Sequence, residues 1–176
     1  MRFAPTSIDG VLVLELEARG DERGSFMRTF CAKEFAAAGM DFAVVQANVS
    51  VNVERHTLRG MHLQRAPYGE AKIVSCLRGR IFDVAVDLRP ESPTHLKWEG
   101  VELCADIPRA FYLAEGIAHG FLTLEPDSLV HYLMGAEYVA DAATGVRWDD
   151  PVVGIEWPAP PQVISDRDRA FPLIQA

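Results

Sequence analysis

Cysteine is scarce in this 176-residue chain: Cys31, Cys76 and Cys104 are odd in number, widely spaced and in no C-x-x-C pair. That argues against a disulfide framework or a structural zinc site and fits the reducing cytoplasm. No apolar run approaches the ~18 residues a membrane span needs. The start MRFAPTSIDG has no basic region leading into an apolar one, so neither a membrane partner nor secretion is expected. Basic residues are outnumbered, 17 Lys plus Arg against 25 Asp plus Glu, for a formal charge of −8. Lacking any basic run, the chain is a poor partner for nucleic acid, although a few converging Arg and Lys would still hold a small anion. Repeats, low-complexity tracts and Gly/Ser linkers are also missing. What is present is a 49% apolar composition, enough at this length to close one core. A single domain over residues 1–176 is expected.

One segment reads as a helix, Ala32 to Ala38, rich in Ala and stopped by Gly39. Nearly everything else is short and strand-like: 11–15, 45–53, 73–77, 81–88, 98–103, 110–113, 120–124 and 129–133. Arg78-Gly79-Arg80 is a hairpin signal between two of these runs. Pro90, Pro93, Pro108, Pro126 and Pro151 fall between the runs, where proline breaks no ladder. The pattern predicts an all-β antiparallel sandwich or barrel with few short helices, whose mouth is a natural small-molecule site. From Trp157 onward the chain is proline-rich and then polar. Such a tail either frays or folds back; residues 158–176 are expected to fold back, with Ser165 to Asp168 contributing a side chain to the site.

Two of the five histidines stand out by context: His62 in LRGMHLQ and His119 in EGIAHGF. Both read as lying at strand starts beside glycine, where backbone approaches a ligand closely. They suit metal ligation or acid–base work; His56, His95 and His131 read as ordinary strand residues. On RIFDVAVDL, Phe82, Val84, Val86 and Leu88 share one face, and Asp83 and Asp87 share the other with Ile81 and Ala85. The two carboxylates are either edge charges that block aggregation or groups facing a polar lumen, where Asp83 would orient a histidine. Arg23, Arg28, Arg59, Lys72 and Arg167 are scattered in sequence and form either a solvated surface or a convergent anion site. Tyr132 and Tyr138 are either packing residues or, as buried phenols that need a partner, general acids.

Taken together, the motifs resemble the dTDP-4-dehydrorhamnose 3,5-epimerase family. The matching stretches are Asp21-x-Arg23-Gly24-x-Phe26, Gln46-x-Asn48-x-Ser50, Leu58-Arg59-Gly60-x-His62-x-Gln64 and Lys72. DVAVDLRPESPT from Asp83, AHGF from Ala118, Tyr132, Tyr138, DDPVVGIEWP from Asp149 and Ser165-x-x-Asp168 complete the ordered set. The resemblance implies a cupin jelly roll that forms a homodimer and uses no metal or other cofactor. Its substrate would be a nucleoside-diphosphate 4-keto-6-deoxyhexose, epimerised at C3 and C5 beside the ketone. By the same resemblance His62 is the base, Asp168 its support, Tyr132 the acid on the opposite face and Lys72 the enolate stabiliser. His119, held by Asp83, would contact the sugar; Arg23 and Arg59 the diphosphate; Gln46 and Asn48 the nucleotide; Tyr138 the base.

The chemistry calls for these types independently. A proton alpha to a ketone is weakly acidic, so its removal needs a base together with charge stabilisation at the oxygen. Inversion needs a donor on the other face. A diphosphate suits the planar fork of arginine. The chain also departs from the family: Arg28 and Ala143 stand where glutamate is usual, Leu63 where tyrosine is, and Leu133-Met134-Gly135-Ala136 replaces a more polar stretch. These changes leave open a different sugar nucleotide or inversion at one carbon, with Arg28 as a contact that sets preference. A second class of function is a metal-dependent cupin built on His62, Gln64, Glu70 and His119, although the second histidine and the correctly spaced glutamate of that pattern are missing. A third is a cupin that binds a sugar nucleotide without catalysis.

Overall fold

The computed structural model describes residues 1–175. Its strands are β1 (Arg2–Pro5), β2 (Val11–Glu15), β3 (Ala18–Asp21), β4 (Gly24–Met27), β5 (Gln46–Asn52), β6 (Thr57–Gln64) and β7 (Lys72–Arg78). They continue with β8 (Arg80–Asp87), β9 (Trp98–Cys104), β10 (Arg109–Leu113), β11 (Ile117–Thr123), β12 (Ser128–Met134), β13 (Ala143–Gly145) and β14 (Val163–Ile164). Two short helices join them, α1 (Ala32–Ala37) and α2 (Asp166–Arg169). One sheet runs β1-β2-β10-β7-β12-β5; the facing sheet runs β13-β6-β11-β8-β9, with β14 parallel to β6. All other pairings are antiparallel. This is the cupin jelly roll, as expected. The strands expected at 11–15, 73–77, 81–88, 98–103, 110–113 and 129–133 all form, most with a residue or so added at an end. No helix among the described residues is long and apolar enough to cross a membrane.

Strand alternation sorts the apolar residues into three layers. Between the sheets lie Val74, Cys76, Ile81, Ala85, Phe111, Phe121 and Val130. Outside the first sheet, α1 sets Phe35 against Ile73, Ala110 and Tyr112, and Phe35 meets Phe3, Phe30 and Phe42 ring to ring. Full burial of one such ring contributes about 1.5–3 kcal/mol. The helix ends just before Gly39, whose φ of +78° suits glycine past a helix C-terminus. Outside the second sheet, Val146, Val153 and Trp157 cover Met61, Val84, Val86 and Ala118.

The position of β8 inside its sheet corrects the edge-charge reading of its carboxylates. The strand lies between β9 and β11, and Asp83 and Asp87 are fully buried. Asp83 faces the lumen. Asp87 instead pins the following loop, accepting from Arg89 Nε (2.9 Å), Ser92 Oγ (2.5 Å) and Thr94 Oγ1 (2.7 Å).

The sequence reading missed the short strands β1, β13 and β14, and three further pieces. The β3–β4 hairpin is almost wholly exposed and so lacks an apolar alternation. In β6, glycine and histidine interrupt the pattern. The short α2 is marked only by its N-cap, Ser165 Oγ accepting from Asp168 N at 3.1 Å.

Candidate active site

Close backbone contact sets up the site. Gly60 on β6 has φ +144°, and a Cβ there would stand 2.6 Å from Gly120 Cα on β11. The two strands press together, and the register shift beside this point leaves His62 directly opposite His119. His62 is therefore near the end of its strand and His119 is the third residue of its own, which corrects the expectation that both begin strands.

His62 Nε2 lies 2.7 Å from Asp168 Oδ1, and Asp168 Oδ2 accepts from Gly60 N at 3.1 Å. An ionised carboxylate only accepts, so Nε2 carries the proton and Nδ1 keeps a free lone pair. Burial works to raise Asp168, but the hydrogen bond and charge of His62, the Gly60 N–H and the Ser165 hydroxyl outweigh it and hold the carboxyl below its ordinary range. The imidazole is part-exposed, with Phe171 edge-on at 5.7 Å.

His119 forms a second pair, Nε2 to Asp83 Oδ1 at 2.7 Å. Here burial prevails: it pushes Asp83 up despite the opposing charges of His119 and Lys72, and Asp83 Oδ2 has no hydrogen-bond partner. The His119 ring stands edge-on to Tyr132 at 5.8 Å. Tyr132 comes from β12 on the first sheet, His62 and His119 from the second, so the phenol and the two imidazoles meet across the gap between sheets. Burial, helped by the charge of Asp83 and opposed by Arg59, raises the phenol well above its ordinary value, which keeps it protonated.

Two adjoining cavities of about 240 Å³ each open onto these groups. Both are lined by Asn48, His62, His119 and Tyr132; the first adds Lys72 and Tyr138, the second Ser50 and Arg59. Arg59 is steered by the buried Asn52, whose Oδ1 accepts from Nε at 2.8 Å. Gln46 Oε1 accepts from Tyr138 N at 3.0 Å. Of the residues singled out in the sequence, His62, Lys72, Asp83, His119, Tyr132, Asp168, Arg59, Asn48, Gln46 and Tyr138 thus converge.

Arg23 and Arg28 do not. Arg23 pairs with Asp21 and Arg28 with Glu34 (2.8 Å), both largely exposed and neither lining the two cavities. The expectation that they join the site is corrected for a single chain: the hairpin forms its own two-stranded sheet. Asn52, Thr144 and Arg167 were missed or left unassigned, although an asparagine buried on a strand is a signal that it is holding something.

The metal-dependent reading finds no support in the donor set. Glu70 is taken up by Lys72 at 2.9 Å and by Gln64 at 3.2 Å, and Gln64 offers an amide in place of the missing second histidine. No group of three or more His, Cys, Asp or Glu side chains converges among the described residues.

Fold and lumen define a cupin-class isomerase scaffold, with histidine and tyrosine facing each other and a lysine beside them. A family model described as dTDP-4-dehydrorhamnose 3,5-epimerase matches residues 5–176. A relative of that name from Methanothermobacter thermautotrophicus is 45% identical over 96% of this chain and 91% of its own length. The solved 4-keto-6-deoxy sugar epimerase from the novobiocin gene cluster of Streptomyces spheroides superposes with a TM-score of 0.94 at 41% identity, covering 98% of this chain and 87% of that one. A 3'-monoepimerase from Streptomyces bikiniensis, solved with dTDP-quinovose, gives a TM-score of 0.91 at 38% identity over 97% and 86%. The chain belongs to the dTDP-4-dehydrorhamnose 3,5-epimerase family.

Proposed function

We propose that this protein epimerises a dTDP-4-keto-6-deoxyhexose, most simply dTDP-4-dehydro-6-deoxyglucose, at C3 and C5. The observation that carries the reading is the lumen itself: a carboxylate-backed histidine on one sheet and a protonated tyrosine on the other. Packed sheets lie roughly 10 Å apart, so a pyranose ring held between them presents one face to each group.

In each half-reaction His62 Nδ1 takes the proton alpha to the ketone, and the C–H electron pair moves onto O4 as the enolate forms. Lys72 Nζ donates to that oxygen. Tyr132 then returns a proton to the opposite face while the electron pair moves back to carbon. The released phenolate is reprotonated from solvent as His62 gives up its own proton. Asp168 fixes the His62 tautomer and stabilises the imidazolium. His119, oriented by Asp83, contacts the sugar. Arg59 takes the diphosphate, Asn48 and Gln46 the nucleotide, and Tyr138, 58% exposed at the rim, stacks on the base. No step requires a metal or other cofactor.

A homodimer completes this picture. The edge strand β5 leaves Val49 and Val51 more than half exposed, and the hairpin holds Phe26 out at 78% exposure. A second copy covering these surfaces is also what can carry Arg23 and Arg28 to a nucleotide. The three free cysteines suit a cytoplasmic enzyme.

The deciding experiment incubates a panel of 4-keto sugar nucleotides in deuterium oxide and reads exchange at C3 and C5 separately by NMR. Exchange and inversion at both carbons are expected, lost in His62→Ala while dTDP binding stays within about three-fold. Robust exchange in that variant refutes the assignment of the base. Inversion at C3 alone would select the second reading, which the resemblance to a dTDP-4-dehydrorhamnose 3-epimerase of Streptomyces niveus favours at 42% identity.

A further inference from the structure

Lys72 is 4% exposed and its ammonium lies 2.9 Å from Glu70 Oε1. A buried cation must have a counter-charge, and two carboxylates are within its influence. Asp83 is one, close enough for Lys72 to pull its proton affinity down, and its Oδ2 is without a hydrogen-bond partner. Glu70, 9% exposed, is the one that binds. Its other oxygen accepts from Gln64 Nε2 at 3.2 Å. The two N–H of Gln64 Nε2 are shared between Glu70 and the carbonyls of Tyr68 (3.1 Å) and Glu137 (3.0 Å), and Gln64 Oε1 accepts from Val139 N at 2.6 Å. The glutamate is thus clamped at both ends: by the lysine on one side and, on the other, by an amide fastened to the two segments that flank Tyr138.

We propose that Glu70 is the positioning residue for Lys72, holding its ammonium at the pocket wall, with Gln64 as the strut that fixes Glu70. The ammonium has three donors; one is spent on Glu70 and the others remain for the ketone oxygen. Lysine is a flexible stem with a compact charge, and without Glu70 the bare oxygen of Asp83 is the next anion to claim it. The side chain would then retract from the substrate. The strut also ties the lysine to the segment that bears Tyr138, so the sugar end and the nucleotide end are braced by one network. This inference rests on the epimerase reading for its kinetic consequence, not for its geometry.

The test is a double-mutant cycle. Glu70→Gln keeps the shape and an acceptor for Gln64 but removes the charge. Its kcat for exchange should fall about 10- to 100-fold, the range typical of outer partners that orient a functional group. KM and the dissociation constant for dTDP should stay within about two-fold of wild type. Glu70→Asp, which restores the charge, should recover part of the rate. In a Lys72→Met background Glu70→Gln should cost nothing further beyond about two-fold, because the group it positions is gone. Wild-type kcat in Glu70→Gln, or an equal loss with and without Lys72, overturns the proposal. A second measurement needs no variant: in the wild type, NOEs from Lys72 Hζ to Glu70 Hγ are expected, and their absence under conditions where buried ammonium protons are visible also overturns it. If wild type exchanges no sugar nucleotide on the panel, the proposed function fails while the NMR contact still reports on Glu70.

Discussion

Replacing Asp168 by asparagine tests the site at its most exacting point. The carboxylate accepts two bonds at once, from His62 Nε2 at 2.7 Å and from Gly60 N at 3.1 Å, on a side chain that is 4% exposed. An amide cannot do both. With its oxygen toward His62, its NH2 meets the Gly60 N–H donor to donor. With its oxygen toward Gly60, the NH2 faces Nε2, which must then accept, moving the ring proton onto Nδ1 and removing the lone pair that works as base. The first arrangement leaves a buried donor unmet, at about 1–3 kcal/mol; the second keeps every bond and is the one expected. The rate should then suffer as it does when a triad histidine is held in the wrong tautomer, by up to about 10⁴-fold. We expect a fall of about 10²–10⁴ in exchange at both carbons, with melting temperature and dTDP affinity little changed. The assay is deuterium uptake followed by NMR, with nitrogen-15 shifts of the His62 ring reporting the tautomer. Exchange within about three-fold of wild type, with the proton demonstrably moved to Nδ1, would refute the reasoning.

Tyr132→Phe should separate the half-reactions: His62 can return a solvent deuteron to its own face, so exchange persists while inversion is mostly lost, and a wild-type ratio of inversion to exchange would move the donor elsewhere, with Tyr138 next to be tested. Asp87→Ala should cost about 3 kcal/mol at neutral pH, since it strands Arg89, Ser92 and Thr94 at the start of the 88–96 loop. Burial tends to raise Asp87, but those partners hold it far below its ordinary range; its contribution is therefore present above about pH 4 and lost as pH falls towards the depressed value, so denaturant melts of variant and wild type should draw together in acid. Dialysis against a chelator should leave epimerisation unchanged; activity lost and then restored by one metal would return the metal-dependent reading.

Much of the site's chemistry was legible in residue types. A histidine for the base, a lysine for the enolate and an arginine for the diphosphate follow from the reaction, and the ordered motifs from Asp21 to Asp168 name the family. Strand alternation likewise assigned Phe82, Val84 and Val86 to one face of β8 and Asp83 to the other, because a two-residue period is a local property of the backbone. Convergence is not local. That β12 delivers Tyr132 opposite His62, or that a four-residue helix 106 residues downstream delivers Asp168 to it at 2.7 Å, depends on how the sheets face and on what the tail packs against. Burial decided Asp87, which reads as an edge charge until strands on both sides enclose β8 and the following loop folds onto the carboxylate. It also decided Glu70, a candidate metal ligand despite its wrong spacing, which pairs with Lys72 because both are taken out of water together. The hairpin went the other way, since Arg23 matches the family by motif and Arg28 departs from it, while their own chain folds both away from the lumen. Sequence by itself determined which side chains are available and the face each strand turns to the core. Only the tertiary structure decided which charges meet, because pairing in a buried site is governed by distance and desolvation, and neither exists until the two sheets close.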